Sequence, residues 1–231
     1  MAFRSTSTYN GSTAPAVRNQ VLRNTYWLLA LSLIPTVIGA VVGMSAGVPS
    51  LMAGSPIMGL IIFFGIAFGL MWGIQRNRNS LTGVMLLLGF TFFMGIMLSQ
   101  ILSVALQMSN GGELIAMAGS ATAAIFFSLA MYTSISKRDF SFMGNFLFAG
   151  LILLIIAAVA NVFLQIPAMA VAISAVGALL FTAYLLNDLS RIVNGGETNY
   201  ITATLAVYLD IYNLFVSLLN LLMIFNGNNR D

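Results

Sequence analysis

Five stretches of this 231-residue chain contain no Asp, Glu, Lys or Arg: 24–75, 79–112, 114–136, 140–187 and 211–229. One helical membrane crossing needs roughly 20 apolar residues. Every stretch approaches or exceeds that length, and the first and fourth are long enough for two crossings. Backbone groups in lipid have no water to bond, so only helices or a closed barrel can cross. Runs such as Leu151-Ile152-Leu153-Leu154-Ile155-Ile156 lack the alternation of barrel strands. The chain is 59% hydrophobic and 6% charged, whereas a soluble domain carries about 25% charged residues. Too little polar surface is available to cover a globule in water. The expected fold is all-α, an integral membrane bundle of seven transmembrane helices with a polar, central last helix.

Turn residues divide the long stretches. Gly47-Val48-Pro49-Ser50 and Gly54-Ser55-Pro56 interrupt the first, and Gln165-Ile166-Pro167 interrupts the fourth. The predicted helices cover roughly 24–46, 56–75, 81–107, 113–135, 141–164, 168–190 and 200–225. This gives a polar cytoplasmic tail over 1–23, a seven-helix domain over 24–226 and a short C-terminal tail over 227–231. A signal peptide cleaved near Ser45-Ala46-Gly47 is the rival reading of the first segment. Its apolar part is about twice a usual signal core and begins late, which argues against cleavage.

The basic residues set the orientation. Arg4, Arg18 and Arg23 lie in the tail, Arg76 and Arg78 between the second and third helices, Lys137 and Arg138 between the fourth and fifth, and Arg191 before the seventh. The intervening connections carry none. Basic residues stay on the cytoplasmic side, so the N-terminus is expected inside and the C-terminus, with Arg230, on the periplasmic side. The net charge of +3 is scattered rather than gathered in a patch, so no nucleic-acid partner is expected. The chain has no Cys and no His. That excludes disulfides, Ser-His or Cys-His nucleophiles and most transition-metal sites. No catalytic residue, metal or cofactor is expected, and the chain is not read as an enzyme.

Two glycine series recur at spacings of four: Gly39, Gly43 and Gly47, then Gly65, Gly69 and Gly73. Each keeps to one helix face and lets another backbone approach closely. Tight packing within the chain is the favoured reading, a dimer interface the alternative. Polar side chains also occur at membrane depth. Gln100, Ser103 and Gln107 share one face of the third helix, and Asn161 and Gln165 end the fifth. In the last helix Asp210, Asn213, Ser217 and Asn220 form a stripe that must turn away from lipid. Interhelical hydrogen bonds account for amides and hydroxyls but not for a carboxylate. An acidic residue at mid-depth costs on the order of 2.5–3.5 kcal/mol and is usually functional or paired. Asp188 shares a helix face with Tyr184 and Arg191. If Asp188 and Asp210 meet between helices, they titrate as a unit. On straight helices their depths differ by roughly 10 Å, so meeting requires tilt or a broken helix.

The runs Ile173-Ser174-Ala175-Val176-Gly177, Tyr184-Leu185-Leu186-Asn187-Asp188 and Tyr208-Leu209-Asp210-Ile211-Tyr212-Asn213-Leu214-Phe215 resemble the Bax inhibitor-1 (transmembrane Bax inhibitor motif) family. Val21-Leu22-Arg23-Asn24-Thr25-Tyr26 and Gly195-Gly196-Glu197-Thr198-Asn199-Tyr200 are similar to its bacterial YccA-like branch. The resemblance implies a multi-pass protein of a bacterial inner membrane. In family members with a calcium-leak activity, an aspartate of the sixth span pairs with one of the seventh and senses protons. Asp188 and Asp210 match those positions. A basic residue latches the closed form, for which Arg76, Arg78 and Arg191 are candidates. The YccA-like branch implies instead a modulator of the membrane protease FtsH, with no transport of its own. The implied partners are therefore the lipid bilayer, calcium ion and FtsH. An intramembrane aspartyl protease would also use two aspartates, but the contexts Leu186-Asn187-Asp188 and Tyr208-Leu209-Asp210 do not resemble that class. A proton-coupled transporter is disfavoured by the odd span count and the lack of an internal repeat.

Overall fold

A computed structural model describes residues 15–48 and 56–227. Arg4, Pro49-Ser50, Gly54-Ser55 and Arg230 lie outside the described residues. The chain forms α1 (Pro15–Ser45), α2 (Pro56–Arg76), α3 (Leu81–Leu106), α4 (Gly111–Ser136), α5 (Gly144–Leu164), α6 (Pro167–Asn194) and α7 (Tyr200–Gly227). A 3₁₀ turn at Ser141–Met143 leads into α5. All seven helices are long and apolar enough to cross a membrane, and no strand occurs among the described residues. The expected seven-helix class is the observed one.

Two boundaries differ from expectation for a physical reason. α1 begins at Pro15 rather than at 24, so residues 15–23 of the expected polar tail are helical. Val21 is buried in the main core and Leu22 packs against it, which draws this turn onto the bundle. α6 runs to Asn194 rather than 190, because Ile192 and Val193 are buried. Asp188 and Arg191 thus remain on one continuous helix.

Among the described residues, α7 packs against α1, α2, α3, α4 and α6, while α5 reaches only α6 and the 3₁₀ turn. The last helix is therefore central. Leu87, Phe90, Leu185, Ile192, Val207 and Leu214 join α3, α6 and α7 in one core. α1 and α3 approach closely enough that a Cβ on Gly39 would run into the Phe92 carbonyl, and one on Gly95 into the Thr36 carbonyl. A Cβ on Gly43 would stand 2.6 Å from Ser99 Oγ. Gly39 and Gly43 thus serve packing within the chain, as the spacing predicted. The second series departs from that reading: a Cβ on Gly65 or Gly69 would meet nothing within 4 Å. Only Gly73 has a close neighbour, with its Cβ position 3.3 Å from Leu86 Cδ1.

Short connections are fixed by side chains that replace missing helix bonds. Asn161 Oδ1 accepts from the Ile166 backbone N–H at 3.0 Å and Gln165 adopts a left-handed φ of 53°. With Pro167 at the first turn of α6, this is the expected break in the fourth stretch. Asn161 and Gln165 therefore close a turn. Gly195 (φ 80°) ends α6, and Asn199 starts α7 by accepting from the Ile201 and Thr202 N–H groups at 3.0 and 3.2 Å. The Asn199 amide also donates to the Arg78 carbonyl and to Asn79 Oδ1, at 2.8 and 2.7 Å. One residue thereby ties the α6–α7 connection to the α2–α3 connection. Between α4 and the 3₁₀ turn, the Ser141 hydroxyl and N–H both donate to Asp139. These bonds hold the Asp139 carboxyl below the usual carboxylate range.

Candidate acidic site on the central helix

Ser217 of the α7 stripe faces α6. A Cβ on Gly177 would lie 2.8 Å from Ser217 Oγ, which sets the register of this antiparallel pair. Seven residues on from Gly177 is Tyr184, and seven back from Ser217 is Asp210, so these two share a depth. Asp188 is one turn nearer the connection, about 6 Å along the axis. Neither helix is broken between these positions.

Asp210 is 6% exposed, and its Oδ2 is buried without a hydrogen-bond partner. Asp188 lies within electrostatic reach of Asp210, and Tyr184 within reach of both. Asp188 is held on its own helix: Asn187 Nδ2 donates to Asp188 Oδ1 at 2.8 Å, and Arg191 Nη1 stands 3.7 Å from the same oxygen. The Asp188 side chain is 12% exposed and that of Arg191 42%, so the pair sits at the rim of the bundle. Glu197 is the other charged group facing Asp188. Asn187 Oδ1 is also buried and unpartnered.

The structure separates the three candidate latch residues. Arg191 is the one brought to Asp188. The Arg76 guanidinium lies over the Trp72 ring, 5.5 Å from its centroid. Arg78 is exposed and contributes its carbonyl to the Asn199 bond. Along the rest of the stripe, Asn213 Nδ2 donates to the Leu209 carbonyl at 2.8 Å, Ser217 is buried and Asn220 half-buried. Among the described residues no three acidic side chains converge into a metal-binding group.

The opposite face of α7 carries a polar lock that the spacing alone did not single out. Tyr208 is 2% exposed, and its hydroxyl lies 2.9 Å from Thr36 Oγ1 and 3.4 Å from the Thr91 carbonyl. Tyr212 donates to the Met94 carbonyl at 3.2 Å. Two tyrosines one turn apart thus bind α7 to α1 and α3. The spacing Tyr208–Tyr212 is visible in the sequence, but its partners are not.

A buried acid on a central helix, a second acid on its antiparallel neighbour and seven membrane-length helices define a multi-span membrane protein with a carboxylate inside its bundle. The chain belongs to the family described as inhibitor of apoptosis-promoting Bax1, whose pattern matches residues 18–227. It is 44% identical over 211 residues to an uncharacterized membrane protein of Vibrio cholerae, covering 91% of this chain and 92% of that one. It is 41% identical over 204 residues to the modulator of FtsH protease YccA of Escherichia coli K12, covering 88% and 90%. The same identity holds for the Escherichia coli O6:H1 protein named inner membrane protein YccA.

Proposed function

We propose that this chain is a proton-sensitive cation leak of a bacterial inner membrane, with Asp188 and Asp210 as its proton-responsive pair. One observation supports this most: a carboxylate oxygen of Asp210 is buried in the central helix without a hydrogen-bond partner, within electrostatic reach of a second acid. A residue kept only for packing would be an amide or an aliphatic group, since an unpaired carboxylate in a dry bundle is costly. Arg191 is the latch this geometry favours, because it already engages Asp188. Calcium is the test ion, as a permeating species rather than a resident one. Proteoliposomes loaded with a calcium dye should show uptake above that of protein-free vesicles, at rates that differ between about pH 6 and pH 8. Uptake equal to protein-free vesicles at both values would reject the leak.

The second reading is modulation of the protease FtsH, favoured by 41% identity to YccA over 88% of this chain. The two readings separate experimentally. A modulator that does not conduct retains its effect on FtsH substrate turnover when both aspartates are changed to Asn, whereas a leak loses its pH response.

The orientation belongs to the same proposal. Eight of the nine basic residues fall on one side when seven helices cross, so the N-terminus is placed in the cytoplasm and the C-terminus in the periplasm. A C-terminal alkaline phosphatase fusion should be active and a fluorescent-protein fusion dark. The reverse pattern would overturn this orientation, through six crossings or an inverted bundle.

A further inference from the structure

α1 and α4 both pack on α7 but not backbone to backbone on each other. Between them lies a cavity of about 540 Å³, within the roughly 300–1,000 Å³ range of small-molecule sites. Its walls include Tyr26, Ala30 and Leu33 on α1 and Ala123 and Phe127 on α4, with Tyr212 of α7 at its base. Ala30, Leu33, Ala123 and Phe127 are exposed on the outer face of the bundle, so the cavity opens sideways, where hydrocarbon chains lie. An apolar cavity gives water too few hydrogen-bond partners to fill it.

Beyond the lining residues, both walls of the groove lead toward a basic side chain. On α1, Arg23 precedes Tyr26, Ala30 and Leu33 at helical spacing and is exposed. Lys137 ends α4, seven residues beyond the lining residue Ala130, and is also exposed. The start of α1 and the end of α4 lie on the same membrane side, so both walls finish in a basic residue there. Asp139, the acid nearest in sequence, is occupied by Ser141. Tyr26 packs edge-on against Phe126 across the groove, with ring centroids 6.0 Å apart. Its hydroxyl is buried and has no hydrogen-bond partner.

We infer that this groove is a binding site for one phospholipid with an anionic headgroup. An acyl chain fills the gap between α1 and α4, the Tyr26 hydroxyl donates to an ester or phosphate oxygen, and Arg23 and Lys137 hold the headgroup. Basic pockets between transmembrane helices recognise anionic lipids in this way, each Lys or Arg adding about fivefold in affinity.

The full-length protein, purified in detergent, is titrated with palmitoyl-oleoyl phosphatidylglycerol or the corresponding phosphatidylcholine, and bound lipid is counted by native mass spectrometry. One saturable phosphatidylglycerol is expected, preferred over phosphatidylcholine by about 25-fold if both basic residues contribute. Arg23→Gln with Lys137→Gln should reduce that preference to near one while an acyl chain still binds. Ala123→Leu fills the groove and should remove both lipids at least tenfold. Gly119→Leu is a second filling variant, because a Cβ there meets only Phe215 Cε2, at 4.0 Å; a monodisperse peak and unchanged helical signal establish that each variant is folded. Saturable binding that survives both filling variants, or a headgroup preference unchanged in the charge variant, overturns the site. So does a graded, non-saturable series of adducts for both lipids, which is an annular belt.

Discussion

Asp210→Asn is expected to make cation flux through proteoliposomes independent of pH between about pH 6 and 8, at the rate the unsubstituted protein shows on the acid side. Asn has the shape and hydrogen-bonding capacity of a protonated aspartate, so the variant is held in the form that low pH creates. Coupling between two such states is typically about 1–3 kcal/mol, so a pH response of roughly 5–150-fold should fall to about one. The site explains the size of the effect. Asp210 is 6% exposed and has a buried oxygen without a hydrogen-bond partner, one helical turn in depth from Asp188. Asp188 is differently placed, at the rim beside Arg191. Asp188→Asn should also flatten the response, by removing the charge that Asp210 faces and releasing Arg191. The double variant should add little, because members of one coupled unit are not additive. If both single variants keep the full pH response, the acid pair is not the sensor and Asp210 is a packing residue.

The second large effect concerns stability. Gly95→Leu should be among the most destabilising single changes in the chain, at the upper end of the roughly 1–3 kcal/mol that overpacking costs. The first added atom would run into the Thr36 carbonyl. Backbone cannot rotate aside as a side chain can. Displacing α1 would also strain the Thr36–Tyr208 hydrogen bond, so damage at the α1–α3 contact reaches the central helix. Gly69→Leu is the matched control: a Cβ there meets nothing within 4 Å, and its effect should remain within about 0.5 kcal/mol. Thermal unfolding of the two purified variants in one detergent distinguishes these outcomes. Equal midpoints would mean that the α1–α3 approach is slack.

Both glycine series look alike in sequence, yet Gly39 and Gly43 are buried against a neighbouring helix while Gly65 and Gly69 are open. The spacing of four is a statement about one helix and is silent on what faces it. The same limit applied to the acid pair. Asp188 and Asp210 were legible as residues out of place in lipid, but their separation along the membrane was overestimated. The register follows from the Gly177–Ser217 approach, which no intrahelical spacing encodes. Arg191 could be named beside Asp188 because i and i+3 share a helix face. Arg76 lies over Trp72 and the Arg78 carbonyl accepts from Asn199, contacts that no helical spacing encodes.

Sequence alone determined the number of crossings, the break at Gln165-Ile166-Pro167 and the inward turn of the last helix. Lipid tolerates neither unpaired backbone groups nor stray charges, so those features follow from where polar residues fall. Tertiary structure decided the helix register, the separate surroundings of Arg76 and Arg78, the tyrosine lock onto α1 and α3, and the groove between α1 and α4. In a soluble helix an apolar stripe points to the core. Here nearly every helix face is apolar, and lipid is as good a neighbour for Leu or Phe as another helix is. Hydrophobic pattern therefore carries almost no information about which face meets which, and only the packed bundle supplies it.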